Sequence, residues 1–120
     1  MARQTTILCI DDETLRLRRK LLESNGFRVI TAISGAEGLR VLEEEPTVDL
    51  VFVDYIMPEM PGDLVVEELK RRHPTLPVIM MSGHPELPEA LLERVDAYVR
   101  KGQDLEVVLG VIERTLAAKR

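Results

Sequence analysis

Cysteine occurs once in the 120 residues, at Cys9, so no internal disulfide can form. A reducing compartment, most simply the cytoplasm, is the expected setting. Apolar runs of membrane-spanning length, roughly 20 residues, are missing, and the longest runs are strand-sized. Behind Met1-Ala2-Arg3-Gln4 there is no apolar signal core, so no secretory leader is expected. An excess of positive charge is also lacking. The formal net charge of −5 argues against non-specific nucleic-acid binding by this chain, and no membrane contact is expected either. Internal repeats, linkers and low-complexity tracts are absent. What remains is a chain with 45% apolar residues, enough for a single domain over residues 1–120 with a buried core.

Short apolar runs alternate with helical patterns. Strands are predicted over 5–10, 27–31, 49–53, from Pro77 onward, and over 96–99. Helices are predicted over 13–24, from Ser34, over about 63–72, 86–94 and 103–118. Leu15, Leu21 and Leu22 form the apolar side of the first helix, and Leu39 and Leu42 that of the second. Val65, Val66 and Leu69 turn the third helix inward, and Leu105, Val108, Leu109, Ile112 and Leu116 make one stripe on the last. Ser34 with Glu37 three positions later reads as a capping box. Five strands alternating with five helices predict an α/β fold, a doubly wound (βα)5 flavodoxin-like domain with a five-stranded parallel sheet.

In such a sheet, function collects beyond the carboxyl ends of the strands. Asp11-Asp12 follow the first apolar run, Asp54 the third, Ser82 the fourth and Lys101 the fifth. Each has an ordinary explanation when taken alone. Acids suit a helix N-terminus, Asp54 can start a turn, and a serine or lysine in a loop is commonplace. Their convergence on one edge carries the argument. Three carboxylates suit a hard divalent cation such as Mg²⁺, which takes oxygen ligands and keeps several waters. The cation relieves repulsion among the acids and neutralises an incoming phosphoryl group. Asp54 then has the surroundings of a nucleophile able to form an aspartyl phosphate.

The segment Asp54-Tyr55-Ile56-Met57-Pro58-Glu59-Met60-Pro61-Gly62 matches the D-x-x-M-P-x-M-x-G pattern at every fixed position. With Asp11-Asp12, Ser82 and Lys101, the chain resembles a receiver domain of a two-component response regulator, CheY-like, over essentially its whole length. The resemblance implies that Asp54 is the phospho-acceptor. It implies that Asp11, Asp12 and Asp54 hold Mg²⁺ (or Mn²⁺) with their side chains and Ile56 with its backbone carbonyl. Ser82 becomes the switch hydroxyl, Lys101 the phosphate-binding lysine and Tyr98 the switch aromatic. A histidine kinase or phosphotransfer protein would donate the phosphoryl group. The domain would catalyse only its own phosphorylation and dephosphorylation.

The pattern departs from the family at three places. Gly102 stands where a proline, often cis, usually follows the lysine, and glycine is expected to loosen the lysine loop. Ser82 and Lys101 are only 19 positions apart, which predicts a shortened fourth helix. Ile56 and His84 lie two residues past Asp54 and Ser82, where the family tunes phosphoryl lifetime, and an apolar Ile56 predicts a long-lived state. His84 is equally readable as a loop residue before Pro85. On the last helix, Val107 and Val111 are placed opposite the core stripe, as a contact for a dimer or an effector.

The alternative reading is a phosphate-independent pseudo-receiver acting as a protein-binding module. A flavin enzyme is disfavoured by the absence of a glycine-rich loop after the first strand. A dehalogenase-type phosphatase is disfavoured by Ile56, where that class has an acid. The segment Met80-Met81-Ser82-Gly83-His84 resembles receivers attached to hybrid kinases. The chain therefore reads as a stand-alone regulator or as a piece of a longer one.

Overall fold

The computed structural model describes residues 4–11, 15–55, 60–83 and 87–118. The order is β1 (Thr6–Ile10), α1 (Leu15–Ser24), β2 (Arg28–Ala32), α2 (Gly35–Glu44), β3 (Leu50–Asp54), α3 (Gly62–Arg72), β4 (Val78–Ser82), α4 (Glu89–Arg94), β5 (Ala97–Arg100) and α5 (Leu105–Ala118). All strands pair in parallel, in the order β2-β1-β3-β4-β5. The predicted strand and helix alternation is therefore observed, with boundaries shifted by a few residues.

β1, β3 and β4 are central and buried along their whole length, which is why they read as unbroken apolar runs. Alternate residues feed two cores. Leu8, Ile10, Val51, Val53 and Met80 pack with Leu39 and Leu42 of α2, Val65, Val66 and Leu69 of α3, and Leu91 of α4. Ile7, Cys9, Phe52, Ile79 and Val99 pack with Leu22 of α1 and with Val108 and Ile112 of α5. Among the described residues, no helix is long and apolar enough to cross a membrane.

Local details refine the sequence reading. Ser34 caps α2 by accepting from the Glu37 backbone N–H at 3.2 Å. α4 has six residues, the shortest of the five helices. Leu21, expected on the inner face of α1, is 38% exposed, while Leu22 is buried. Consecutive helical residues are about 100° apart, so only one of the two can face the sheet.

Val111 also departs from its expected place. It packs against the α1/α5 core, and only Val107 is exposed. Val111 lies three positions after buried Val108 and four before buried Thr115, so it borders the buried stripe and does not oppose it. A paired-valine outer patch is therefore not formed.

Two aspartates that the sequence reading passed over close the amino ends of the strands. Asp49, just before β3, accepts from the Thr6 N–H at 2.8 Å, and its own N–H donates to the Thr6 carbonyl at 2.8 Å. Asp96, just before β5, does the same with Val78, again at 2.8 Å and 2.8 Å, and also pairs with Lys70 of α3 at 2.7 Å. Each extends a ladder by one rung where the backbone ladder ends.

Candidate functional site

The carboxyl edge of the sheet brings the expected groups together. Asp11 directly follows β1, and its N–H still donates to the Ala32 carbonyl at 3.0 Å, so the β1–β2 ladder holds its backbone. Asp54 is the last residue of β3. The register pairs Ile10 with Val53, which sets Asp11 and Asp54 side by side at the ends of adjacent strands. Both are 1% exposed. Two carboxylates buried this closely repel one another, so the edge favours a cation.

One cation comes from the chain itself. Lys101 Nζ donates to Asp54 Oδ2 at 2.9 Å, reaching from the end of β5 across β4. The Lys101 N–H donates to the Ser82 carbonyl at 2.9 Å, so the lysine backbone is tied to the end of β4. Ser82 is the last residue of β4 and 1% exposed. Strand alternation puts Ser82 on the α2–α4 side of the sheet with Met80 and Tyr98, and the register pairs Met80 with Tyr98. Tyr98 is partly buried against that core. Asp54 falls on the other side with Phe52, as Asp11 does with Cys9.

Asp12, Ile56 and His84 lie outside the described residues. Among the described residues, no group of three or more His, Cys, Asp or Glu could hold a metal ion. Of the three expected side-chain ligands, Asp11 and Asp54 lie within the described residues. Their oxygen donors and deep burial fit a hard cation such as Mg²⁺.

Gly62 makes a contribution that the motif match alone did not explain. Its N–H donates to the Tyr55 carbonyl at 2.8 Å. A Cβ placed on it would lie 2.6 Å from the Asp54 carbonyl oxygen and 2.6 Å from Tyr55 Cα. The first turn of α3 thus rests directly on the backbone that carries Asp54, and only glycine allows that approach.

Gly102 sits in a closed turn. Its φ is +86°, while no described non-glycine residue has positive φ. The Gln103 N–H donates to the Arg100 carbonyl at 3.3 Å, closing a turn over Lys101 and Gly102. Positive φ at the third position only is the type II pattern, which calls for glycine there. Proline, held near −65°, cannot take this conformation. The departure from the usual proline therefore accompanies a different, closed backbone path after the lysine.

A hollow of about 500 Å³, lined by Leu42, Val48, His73 and Leu76 among others, opens between the α2–β3 and α3–β4 connections. Among the described residues, its lining includes none of the candidate site residues.

Comparison with known proteins agrees with this arrangement. A family model described as the response regulator receiver domain matches residues 7–113. The transcriptional regulatory protein GlrR of Escherichia coli (strain K12) is 37% identical over 115 residues, covering 92% of this chain and 26% of GlrR. The sensor kinase CckA of Brucella abortus (strain 2308) is 38% identical over 84 residues, covering 68% of this chain and 9% of CckA. The crystal structure of a response regulator receiver domain protein from Clostridium thermocellum superposes with a TM-score of 0.87 at 35% identity, covering 96% of both chains. The chain thus spans about a quarter of the length of GlrR.

Proposed function

Because the chain belongs to the response regulator receiver domain family, we propose that it is a phospho-accepting receiver, with Asp54 as acceptor and a histidine kinase or phosphotransfer protein as donor. The observation that carries this reading is the Lys101–Asp54 contact of 2.9 Å at the carboxyl edge, with Asp54 buried beside Asp11. A carboxylate oxygen of Asp54 attacks phosphorus as the donor's bond to phosphorus breaks, and the leaving group departs with that electron pair. Asp11, Asp12 and Asp54, with the Ile56 carbonyl, would hold Mg²⁺, which when bound neutralises the phosphoryl oxygens. Lys101 moves from its resting contact with Asp54 to a phosphoryl oxygen.

The domain turns over no substrate other than its own phosphoryl group. We place the phosphorylatable unit at residues 1–120, in the cytoplasm, as a stand-alone regulator or as part of a longer regulator or hybrid kinase. Matches to a transcriptional regulator and a sensor kinase, of which this chain covers 26% and 9%, support the longer context.

The test is intact-protein mass after incubation with acetyl phosphate and Mg²⁺. One added phosphoryl group is expected, and none when a chelator is present. No gain under any metal condition favours a pseudo-receiver that binds partners without phosphate.

Readout passes through Ser82 and Tyr98. A hydrogen bond from Ser82 to a charged phosphoryl oxygen contributes about 1.5–3 kcal/mol. Converting a 1:99 population to 99:1 takes about 5.5 kcal/mol. Ser82 therefore acts together with Lys101 and the repacking of the Tyr98 ring. Ser82→Ala is expected to reduce the NMR shift changes of Tyr98 on phosphorylation to a minor fraction of the wild-type response. Unchanged shifts in that variant rule out the serine-driven switch.

A further inference from the structure

The turn after β5 holds Lys101 by means that the family's usual proline does not provide. β5 is an edge strand, so the outward N–H groups of this strand have no neighbouring strand to meet. The Arg100 N–H instead donates to Gln103 Oε1 at 2.8 Å. The Gln103 N–H returns a bond to the Arg100 carbonyl at 3.3 Å. Two bonds thus join Arg100 to Gln103 and bracket Lys101 and Gly102 between them.

On the inner side, the Lys101 N–H is held by the Ser82 carbonyl at 2.9 Å. From that anchored backbone the lysine stem runs past Gly83, where a Cβ would lie 4.0 Å from Lys101 Cδ, and reaches Asp54 Oδ2 at 2.9 Å. Gly102 has φ +86° and open space around it, so no side-chain packing holds the turn at that residue. The side-chain amide oxygen of Gln103 adds a second bond, shorter than the backbone bond that closes the turn.

We infer that Gln103 is a positioning residue for Lys101, its amide oxygen doing for this loop what a rigid proline ring does elsewhere in the family. The inference rests on the receiver reading above, in which Lys101 stabilises the phosphoryl group during transfer. A wandering Lys101 backbone would spread the ammonium over positions that no longer match the phosphoryl oxygens. That loss falls on the transfer step. Asp11 and Asp54 keep their own strand anchors, so Mg²⁺ affinity stays as it was.

The test compares Gln103→Leu, similar in size but without an acceptor, with Gln103→Glu, which keeps an acceptor oxygen at the same reach. The probes are acetyl phosphate for transfer rate and Mg²⁺ alone, by NMR titration, for metal affinity. Losing one such bond predicts transfer slower by about five-fold in Gln103→Leu. Gln103→Glu should stay within about two-fold of wild type, and all three proteins should bind Mg²⁺ equally. A wild-type rate in Gln103→Leu overturns the inference. So does a loss of Mg²⁺ affinity in step with the rate, which marks general loosening of the edge. A wild-type protein that takes no phosphoryl group overturns the receiver reading itself, and this inference with it.

Discussion

Asp54→Asn is expected to abolish phosphoryl uptake from acetyl phosphate while leaving the fold in place. The amide has nearly the shape of the carboxylate, and its oxygen can still accept from Lys101 where Oδ2 does now, at 2.9 Å. The amide is neutral and its nitrogen lone pair is drawn into the carbonyl, so the group lacks the anionic oxygen needed to attack phosphorus. Two effects on stability oppose each other. The ion pair with Lys101 loses its charge attraction, and the repulsion between the buried Asp11 and Asp54 carboxylates disappears. Lys101 is 29% exposed on its side chain, so water already screens part of that attraction. The two terms come close to cancelling, and the melting temperature should move by only a few degrees. Mass spectrometry and a thermal melt on the same preparation check both halves. Phosphoryl uptake by a folded Asp54→Asn protein would move the acceptor to another residue.

The second large effect falls on stability. Gly62→Ala is expected to cost about 2–3 kcal/mol, lowering the melting temperature by roughly 10 °C. By helix propensity alone the change would favour α3, since alanine exceeds glycine by up to about 1 kcal/mol. Sterics oppose it and prevail. The new methyl would lie 2.6 Å from both the Asp54 carbonyl oxygen and Tyr55 Cα, and 2.9 Å from the Tyr55 carbonyl oxygen. These are backbone atoms of a central strand end and cannot rotate away. Gly38 differs in kind, because a Cβ there meets the Ile10 side chain and not the backbone.

Relief at Gly62 requires either lifting α3, which breaks the Gly62–Tyr55 bond of 2.8 Å, or moving the segment that carries Asp54. The second route displaces the acceptor, so phosphoryl uptake should slow along with the loss of stability. Circular-dichroism melting of the two proteins decides the point. A melting temperature within a degree or two of wild type would mean that the helix and strand are not so tightly apposed.

Much of this molecule was legible in the linear pattern. The central strands are buried on both faces, so their sequences are continuous apolar runs, and the acids, serine and lysine that follow mark where those runs leave the core. Chain order of strands and helices then implied parallel pairing, because crossovers through helices permit little else. The identity and common edge of Asp11, Asp54, Ser82 and Lys101 came from those local signals.

Other features exist only through contacts between distant segments. Gly62 looks like any turn glycine until α3 is seated on Asp54 and Tyr55. Gln103 looks like a solvated side chain until β5 lies at the sheet edge with an unpaired Arg100 N–H to satisfy. Asp49 and Asp96 cap strands 43 and 18 residues away from them, and no periodicity encodes such a partner. Val111 read as outward because helical phase was measured from an assumed centre of the stripe, and the sheet set that centre elsewhere. Sequence alone determined which groups reach the carboxyl edge, since strand burial and alternation are local. The tertiary structure decided how they are held there, because hydrogen-bond partners and steric fit depend on atoms that meet only after folding.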